Sequence, residues 1–361
     1  MTDNGSEQQA VMWDVSVTTI IKVVGVLLFF AVAYLLRDIF IILLFAIVIA
    51  SAVTPFADWV EKKKIPRILG VALLYLSIFV LVGFLISLVV PFVTGEINQL
   101  IQDLPNFISR VSTSLEKAQE TSGGRFTDLF NEILNLLDSF SGYLQASSSS
   151  AFGFVVSVFG GLFSFIGIIV ISFYLSVMKG GIENFIRSVI PHKYEPHFLN
   201  IWRKSEIKVG RWLQGQLLLA LIVGLAVYVV MSLMGVKFAL LLGILAMILE
   251  LVPTVGPVLA AVPAVILAFT QSPALGLWVI VAYAVIQQLE NHILVPIIMG
   301  RTVGLNPVMV IIALLVGFQL AGIVGMILSV PVAAIIVEIV DEFSASKHAH
   351  ASGEEVLSNG L

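Results

Sequence analysis

Long apolar runs constrain this chain more than any other feature of its sequence. Several of them approach or exceed the roughly 18 residues that mark a membrane-spanning helix. Of the 361 residues, 59% are hydrophobic and 12% are charged, whereas about 25% of an ordinary soluble domain is charged. The mean hydropathy of +1.05 points the same way. The sequence therefore predicts an all-α polytopic membrane protein.

Basic residues between the runs predict the orientation of the chain, because cytoplasmic loops carry an excess of Lys and Arg. The loops 61–67 and 179–214 are the most basic. Both loops, together with the N- and C-termini, are therefore predicted to be cytoplasmic. About six runs predict complete spans, at 18–36, 39–57, 68–92, 152–178 and 215–235, and through Trp278 to Pro296.

A polar insert at residues 93–150 separates the third and fourth spans. Apolar side chains recur in it at helical spacing, as in Ile97, Leu100, Ile101 and Leu104, and polar residues lie on the opposite face. This pattern predicts external amphipathic helices. They either form a cap or an oligomer contact, or lie solvated on the lipid headgroups.

Five regions follow from these patterns. They are helices one to three at 1–92, the insert at 93–150, span four with its basic loop at 151–215, a transport core at 216–340 and a disordered cytoplasmic tail at 341–361.

Two long apolar segments of the core are broken in the middle. The first break contains Pro253, Thr254, Gly256 and Pro257. Proline removes a backbone donor, and irregular backbone survives in a bilayer only where protein or a water-filled cavity satisfies it. The second break runs from Gly317 to Gly322. Each broken segment is predicted to be a re-entrant hairpin, although a kinked continuous span is the alternative.

The segments following the two breaks resemble each other weakly. Residues 259–266, with the sequence LAAVPAVI, can be laid on residues 327–334, ILSVPVAA. The resemblance suggests two units, span five with 238–270 and the Trp278 span with 307–340. If both broken segments are hairpins, Arg301 lies in the cytoplasm, as the positive-inside rule prefers, and the two units are inverted relative to each other. Inverted units with broken helices are typical of secondary transporters.

Polar side chains cluster where the core should be apolar. Gln287, Glu290 and Asn291 share one helix face by their spacing, and Glu250 directly precedes the first break. A carboxylate inside a membrane is expensive and marks a functional site by default. Glu250 and Glu290 are therefore the predicted proton or cation carriers. Alternatively, they lie at the interface and snorkel to water.

Motifs for other chemistries are missing from the sequence. It contains no cysteine, no GxxxxGK[ST] loop and no HExxH pair. His192 and His197 near Glu195 lack a third convergent ligand, so no metal site is predicted. We expect no enzyme activity, no cofactor and no nucleic-acid partner.

The motifs of the C-terminal half resemble those of a known family. They are ELVPTVGP at 250–257, QQLEN at 287–291, PIIMG at 296–300, GLNP at 304–307 and GIVG at 322–325 with Val330-Pro331. This pattern resembles the bacterial autoinducer-2 exporter family, also called PerM-like permeases. The resemblance implies an inner-membrane transporter that forms homo-oligomers, with pentamers known in the family. Members have been assigned to autoinducer-2 export or to sodium/proton antiport.

The first hypothesis is therefore a secondary transporter that exports a small polar solute such as autoinducer-2. The alternative is a cation/proton antiporter that uses Glu250 and Glu290 for H⁺ and Na⁺. A passive channel or an oligomeric membrane scaffold is a third reading. The predicted binding residues are Glu250, Pro253, Thr254, Gly256, Pro257, Gln287, Glu290, Asn291, Gly317, Gln319 and Gly322. Membrane lipids are the other expected partners.

Overall fold

The structure is a computed structural model that describes residues 17–85, 161–299 and 306–358, with isolated positions between 87 and 135. This part of the chain forms helices and turns, without a strand. Apart from those isolated positions, the predicted insert at 93–150 lies outside the described residues. Arg301, on which the charge argument for the hairpins partly depends, lies outside them too.

Eleven helices and one π-helical turn follow one another in the described ranges. They are α1 (Val17–Leu35), α2 (Arg37–Lys62), α3 (Arg67–Leu85), α4 (Leu162–Val177), α5 (Gly181–Val189), α6 (Glu195–Leu233), α7 (Ala239–Leu249), α8 (Val255–Gln271), α9 (Pro273–Leu289), the π turn (Glu290–Leu294), α10 (Val295–Ile298) and α11 (Pro307–Ser358).

The predicted class of an all-α polytopic membrane protein is confirmed. Five helical stretches in the described ranges are long and apolar enough to cross a membrane, and α4 joined to α5 would make a sixth. The stretches are 37–62, 67–85, 195–233, 273–298 and 308–342. The last of them, with 35 residues, is longer than a single span requires, and its backbone does not run straight.

The first broken segment folds into a helical hairpin, which we call hairpin 1 (residues 239–271). Its arms are α7 and α8, and they pack against each other. At the turn, Thr254 has a φ of 63°. A Cβ built on Gly256 would lie 1.9 Å from the carbonyl oxygen of Leu249. In a straight helix these residues would be about 10 Å apart along the axis, so the chain reverses here.

The second broken segment reverses in the same way, within α11; we call it hairpin 2 (residues 307–342). Ala321 and Gly322 have non-helical dihedrals, and Gly322 has a φ of 58°. A Cβ on Gly325 would lie 2.0 Å from the carbonyl oxygen of Gly317. Eight residues of continuous helix would separate the two by about 12 Å. The kinked-span alternative is therefore wrong, and both segments are hairpins.

The long helix α6 organises the two hairpins. The first arm of hairpin 1, α7, runs antiparallel to the C-terminal half of α6. Gly243 and Met247 contact α6 at Gly224, and the tip of the hairpin reaches Gln216. The second arm of hairpin 2 runs antiparallel to the N-terminal half, where Glu342 pairs with Lys204. The hairpins thus approach α6 from opposite ends, with both tips directed towards its middle, which agrees with the predicted inverted arrangement.

The helix α11 continues beyond hairpin 2 to Ser358. The disorder expected for the tail at 341–361 stays a prediction. Ala345, Ala349 and Ala351, with Glu354 and Glu355, are strong helix formers. Because the chain enters this segment already helical, each further residue extends the helix without a new nucleation step.

Glu338 ties hairpin 2 to the N-terminal part of α6. Its side chain is buried and pairs with Lys208 and Lys204. We expect Glu338→Gln to lower the free energy of unfolding by about 3 kcal/mol, because Lys208 loses the charge that compensates it. Glu342→Gln, in the more exposed neighbouring pair, should cost less than about 1 kcal/mol. Thermal denaturation in one detergent compares the variants, and equal losses would contradict this assignment.

Candidate functional site

Two buried carboxyl groups meet at the tip of hairpin 1. Glu250 ends the first arm, and Glu290 begins the π turn after α9. Their exposed fractions are 1% and 5%. The two carboxyl groups are direct neighbours. A hydrogen bond between them would need a proton on one of the two groups, because an ionised carboxylate only accepts.

The carboxyl pair has amide neighbours but no ion-pair partner among the described residues. Gln287 Nε2 donates to Glu290 Oε2 over 3.3 Å. Gln216 Nε2 in α6 donates to the backbone carbonyl of Glu250. One oxygen, Glu250 Oε2, is buried without a hydrogen-bond partner in the described part of the chain. Two carboxylates in this setting require a proton or a small cation to balance their charge.

The backbone around Glu290 has unusual geometry. The residues from Glu290 to Leu294 form a π turn, in which the N–H of Val295 donates to the carbonyl of Glu290. Pro296 follows and has no N–H to donate, so the helix cannot continue its regular bonding here. Single π turns inside α-helices occur frequently at functional sites. The turn places Glu290 against hairpin 1, whereas the following Asn291 and His292 are exposed.

The other predicted residues of the first break surround the tip. Gly256 and Pro257 are buried, and Gly256 packs against the end of α7, whereas Thr254 is exposed. Asn291 stays on the Gln287 face, where its Oδ1 lies 3.5 Å from Gln287 Nε2. The common face predicted for Gln287, Glu290 and Asn291 is therefore present.

The residues of the second break are arranged differently. Gly317 lies in the contact between the arms of hairpin 2, and Gly322 forms its tip. Gln319 is exposed, and its side chain does not contribute a contact to the carboxyl pair in the described structure. The structure thus brings together Glu250, Gln287 and Glu290, and it keeps Gln319 apart from them.

Sequence reasoning missed Gln216. It is 2% exposed and sits in the middle of α6, where its amide holds the tip of hairpin 1. The signal was present, because Gln216 is an uncharged polar residue that opens an apolar run of some twenty residues. Its partner could not be foreseen, since it is a backbone carbonyl 34 positions away.

Comparison with known proteins identifies the family of this chain. The profile of the AI-2E family transporters matches residues 24–345. A Bacillus subtilis protein named "Putative transport protein YueF" is 31% identical over 286 residues, which cover 76% of either chain. The "AI-2 transport protein TqsA" of Escherichia coli is 24% identical, over 83% of this chain and 84% of its own. The chain belongs to the AI-2E family and is a multi-pass membrane transporter.

Proposed function

We propose that the protein is a secondary transporter that exports a small polar solute, with autoinducer-2 as the first candidate, and that Glu250 and Glu290 carry the coupling proton. The observation that carries this proposal is the buried carboxyl pair at the tip of hairpin 1. Neither group has a basic partner in the described residues. A protonatable pair that faces a hairpin tip can exchange protons when the tip moves.

The proposed class of solute is supported by one relative and by the polar groups beside the carboxyl pair. TqsA of Escherichia coli carries autoinducer-2 transport in its name and is 24% identical to this chain. The amides of Gln216 and Gln287, together with the broken backbone at Thr254, offer hydrogen-bonding groups that suit a hydroxylated solute. These groups lie next to the carboxyl pair, so solute and proton would compete for, or share, one region.

A second candidate is cation/proton antiport. It is favoured by Glu250 Oε2, a buried oxygen without a partner in the described residues. Carboxylate oxygens are the ligands that hard cations prefer. In this version Na⁺ and H⁺ exchange at the pair, and no organic solute is needed. A channel or a scaffold would not require such a pair, and we place it third.

Purified protein in vesicles containing a pH-sensitive dye separates these candidates. A proton flux driven by an autoinducer-2 gradient, with no response to Na⁺, supports solute export. A flux driven by Na⁺ alone supports antiport. Solute movement that is independent of pH and of cations contradicts coupling through the carboxyl pair.

We propose that the protein works as a homo-oligomer in the cell's inner membrane, with pentamers as the first expectation.

The proposed orientation can be tested directly, because the chain contains no cysteine. We expect a cysteine introduced at Ser122 to react with an impermeant maleimide in intact cells, since the positive-inside rule places 93–150 outside. A cysteine at Lys63 should react only after permeabilisation. The reverse pattern would contradict cytoplasmic termini.

The proposed transport path also predicts that the hairpin tips approach each other. Both tips point towards the middle of α6. We therefore expect cysteines at Thr254 and Gln319 to form a disulfide or a short bifunctional cross-link during transport. A pair at Thr254 and Leu277 serves as the control. Absence of the cross-link under all gradients would mean that the two hairpins act separately.

A further inference from the structure

The short helix α5 has an apolar surface that the described part of the chain does not cover. Ile182, Phe185, Ile186 and Val189 fall on one side of the helix by their spacing. Ile182 and Ile186 are half-buried, whereas Phe185 and Val189 are 66% and 64% exposed. On the opposite side, Asn184 is exposed and polar. A helix divided in this way is suited to the boundary between water and an apolar phase.

The position of α5 relative to α4 indicates which apolar phase is available. The helix α4 is apolar and follows an apolar run, and α5 turns away from it by 84° after Met178 to Gly180. If α4 crosses the membrane, α5 therefore lies almost parallel to the membrane plane at the level where α4 leaves it. Its exposed apolar side is then continuous with the lipid-facing surface of α4.

An ion pair holds α5 at this level. Arg203 Nε in α6 donates to Glu183 Oε1 over 2.8 Å, and this hydrogen bond holds the pKa of Glu183 below its usual range. The pair therefore stays ionised at neutral pH. At the same level, Thr54 in α2 donates to Glu206 in α6. The helix is thus docked on α6 rather than free to turn its apolar side away.

Basic side chains surround the helix and form what we call the basic band. Its members are exposed and lie just before α5, within or after it, or at the end of α2: Lys62, Lys63, Lys64, Lys179, Arg187 and Lys193. The ion pair between Lys179 and Glu61, at 2.9 Å, connects the α2 end with the α4–α5 turn. Arg187 also has an acidic partner, Glu195.

Four lysines of the band have no ion-pair partner among the described residues, namely Lys62, Lys63, Lys64 and Lys193. Two of them lie over exposed aromatic rings: Lys63 Nζ is 5.9 Å from the ring of Trp59, and Lys193 Nζ is 5.5 Å from that of Tyr194. Aromatic rings beside lysines are typical of the headgroup region of a membrane. Uncompensated positive charge there attracts anionic lipids.

We propose that α5 lies on the cytoplasmic leaflet, with Phe185 and Val189 in the lipid, and that the basic band binds anionic phospholipid headgroups. The apolar side of α5 inserts into the leaflet, and the lysines select headgroups that carry a negative charge. This surface is separate from the carboxyl pair. The lipid composition of the leaflet would then affect the position of α4 and α6 in the membrane, independently of the solute that is transported.

The depth of α5 can be tested with single cysteines, since the native chain has none. A fluorophore is attached at Phe185→Cys or Val189→Cys, with Asn184→Cys as the matched control on the opposite side. In vesicles, labels at 185 and 189 should be quenched by brominated lipid and protected from aqueous iodide, and the label at 184 should behave in the opposite way. Size-exclusion profiles confirm that each variant folds.

The headgroup preference has its own test in the same labelled protein. With a label at position 185, we expect brominated phosphatidylglycerol to bind about tenfold more strongly than brominated phosphatidylcholine at low salt. The preference should fall with added salt. It should disappear in K62Q/K63Q/K64Q/K193Q and persist in K62R/K63R/K64R/K193R, which keeps the charge.

Three results would overturn the proposal. Equal iodide quenching at 184 and 185 would place the apolar side of α5 in water. Protection of the label at 185 from both lipid and iodide would mean that a second copy of the chain covers the helix. A preference for phosphatidylglycerol that survives K62Q/K63Q/K64Q/K193Q would show that the lysines do not bind the headgroups. Transport need not be measured, so the outcome is independent of the proposed function.

Discussion

Glu290→Gln is expected to abolish pH-dependent transport while the protein still folds and inserts. Glutamine has nearly the same shape as the protonated acid, accepts from Gln287, and can donate to Glu250 in place of the shared proton. It cannot release or take up a proton. If the pair couples transport to protons, flux in vesicles should fall by at least about tenfold and lose its dependence on pH.

Stability separates this functional loss from a structural one. The carboxyl of Glu290 is buried beside that of Glu250, an arrangement that costs stability because charged groups avoid such sites. Glu290→Gln should therefore keep or raise the melting temperature. Active sites often carry such strain in exchange for function. A fall in both melting temperature and transport would instead point to misfolding.

The partner residue and a remote acid complete the experiment. Glu250→Gln should give the same loss as Glu290→Gln, and the double variant should lose no more, because one shared proton is removed in each case. Glu342→Gln removes the same charge at a half-buried site far along α11, where Glu342 pairs with Lys204, and should transport normally. If Glu290→Gln transports with an unchanged pH profile, Glu290 has no role in coupling.

The general fold was accessible from the sequence because membranes impose simple rules. The apolar runs alone predict helices, and prolines with glycines at 253–257 predict the first break. The amide and carboxylate at Gln287 and Glu290 stand out against an apolar background. What these rules cannot provide is the partner of each group. The contact between Glu250 and Glu290 depends on how hairpin 1 folds back, and no local pattern specifies that.

The second hairpin shows what composition leaves open. The glycines at 317 and 322 predict a break within residues 308–342, but they allow a kinked span as well as a hairpin, and the dihedrals of Ala321 and Gly322 establish the reversal. Gln319 lies beside this tip and is exposed. It was predicted as a binding residue because it is polar, but its side chain does not contact the carboxyl pair. The π turn at Glu290 was equally invisible, because it follows from Pro296 and from packing on α6 together.

Gly256→Ala and Gly325→Ala are expected to destabilise the protein strongly, each by about 3 kcal/mol or more. The new methyl groups would lie 1.9 Å from the carbonyl oxygen of Leu249 and 2.0 Å from that of Gly317. Because both neighbours are backbone atoms, the two arms of each hairpin have to separate. We expect lower melting temperatures, and loss of transport where the first hairpin can no longer hold Glu250 in place.

The direction of this effect tests the hairpins themselves. In a straight helix, Gly→Ala would stabilise by about 1 kcal/mol, since alanine has the higher helix propensity. Gly83 in α3 is the matched control, because no atom lies within 4 Å of a Cβ built there, and Gly83→Ala should be neutral or stabilising. If Gly325→Ala behaves like Gly83→Ala, the second segment crosses as one continuous helix. If Gly325→Ala lowers the free energy of unfolding and Gly83→Ala keeps or raises it, the chain turns back on itself at Gly322.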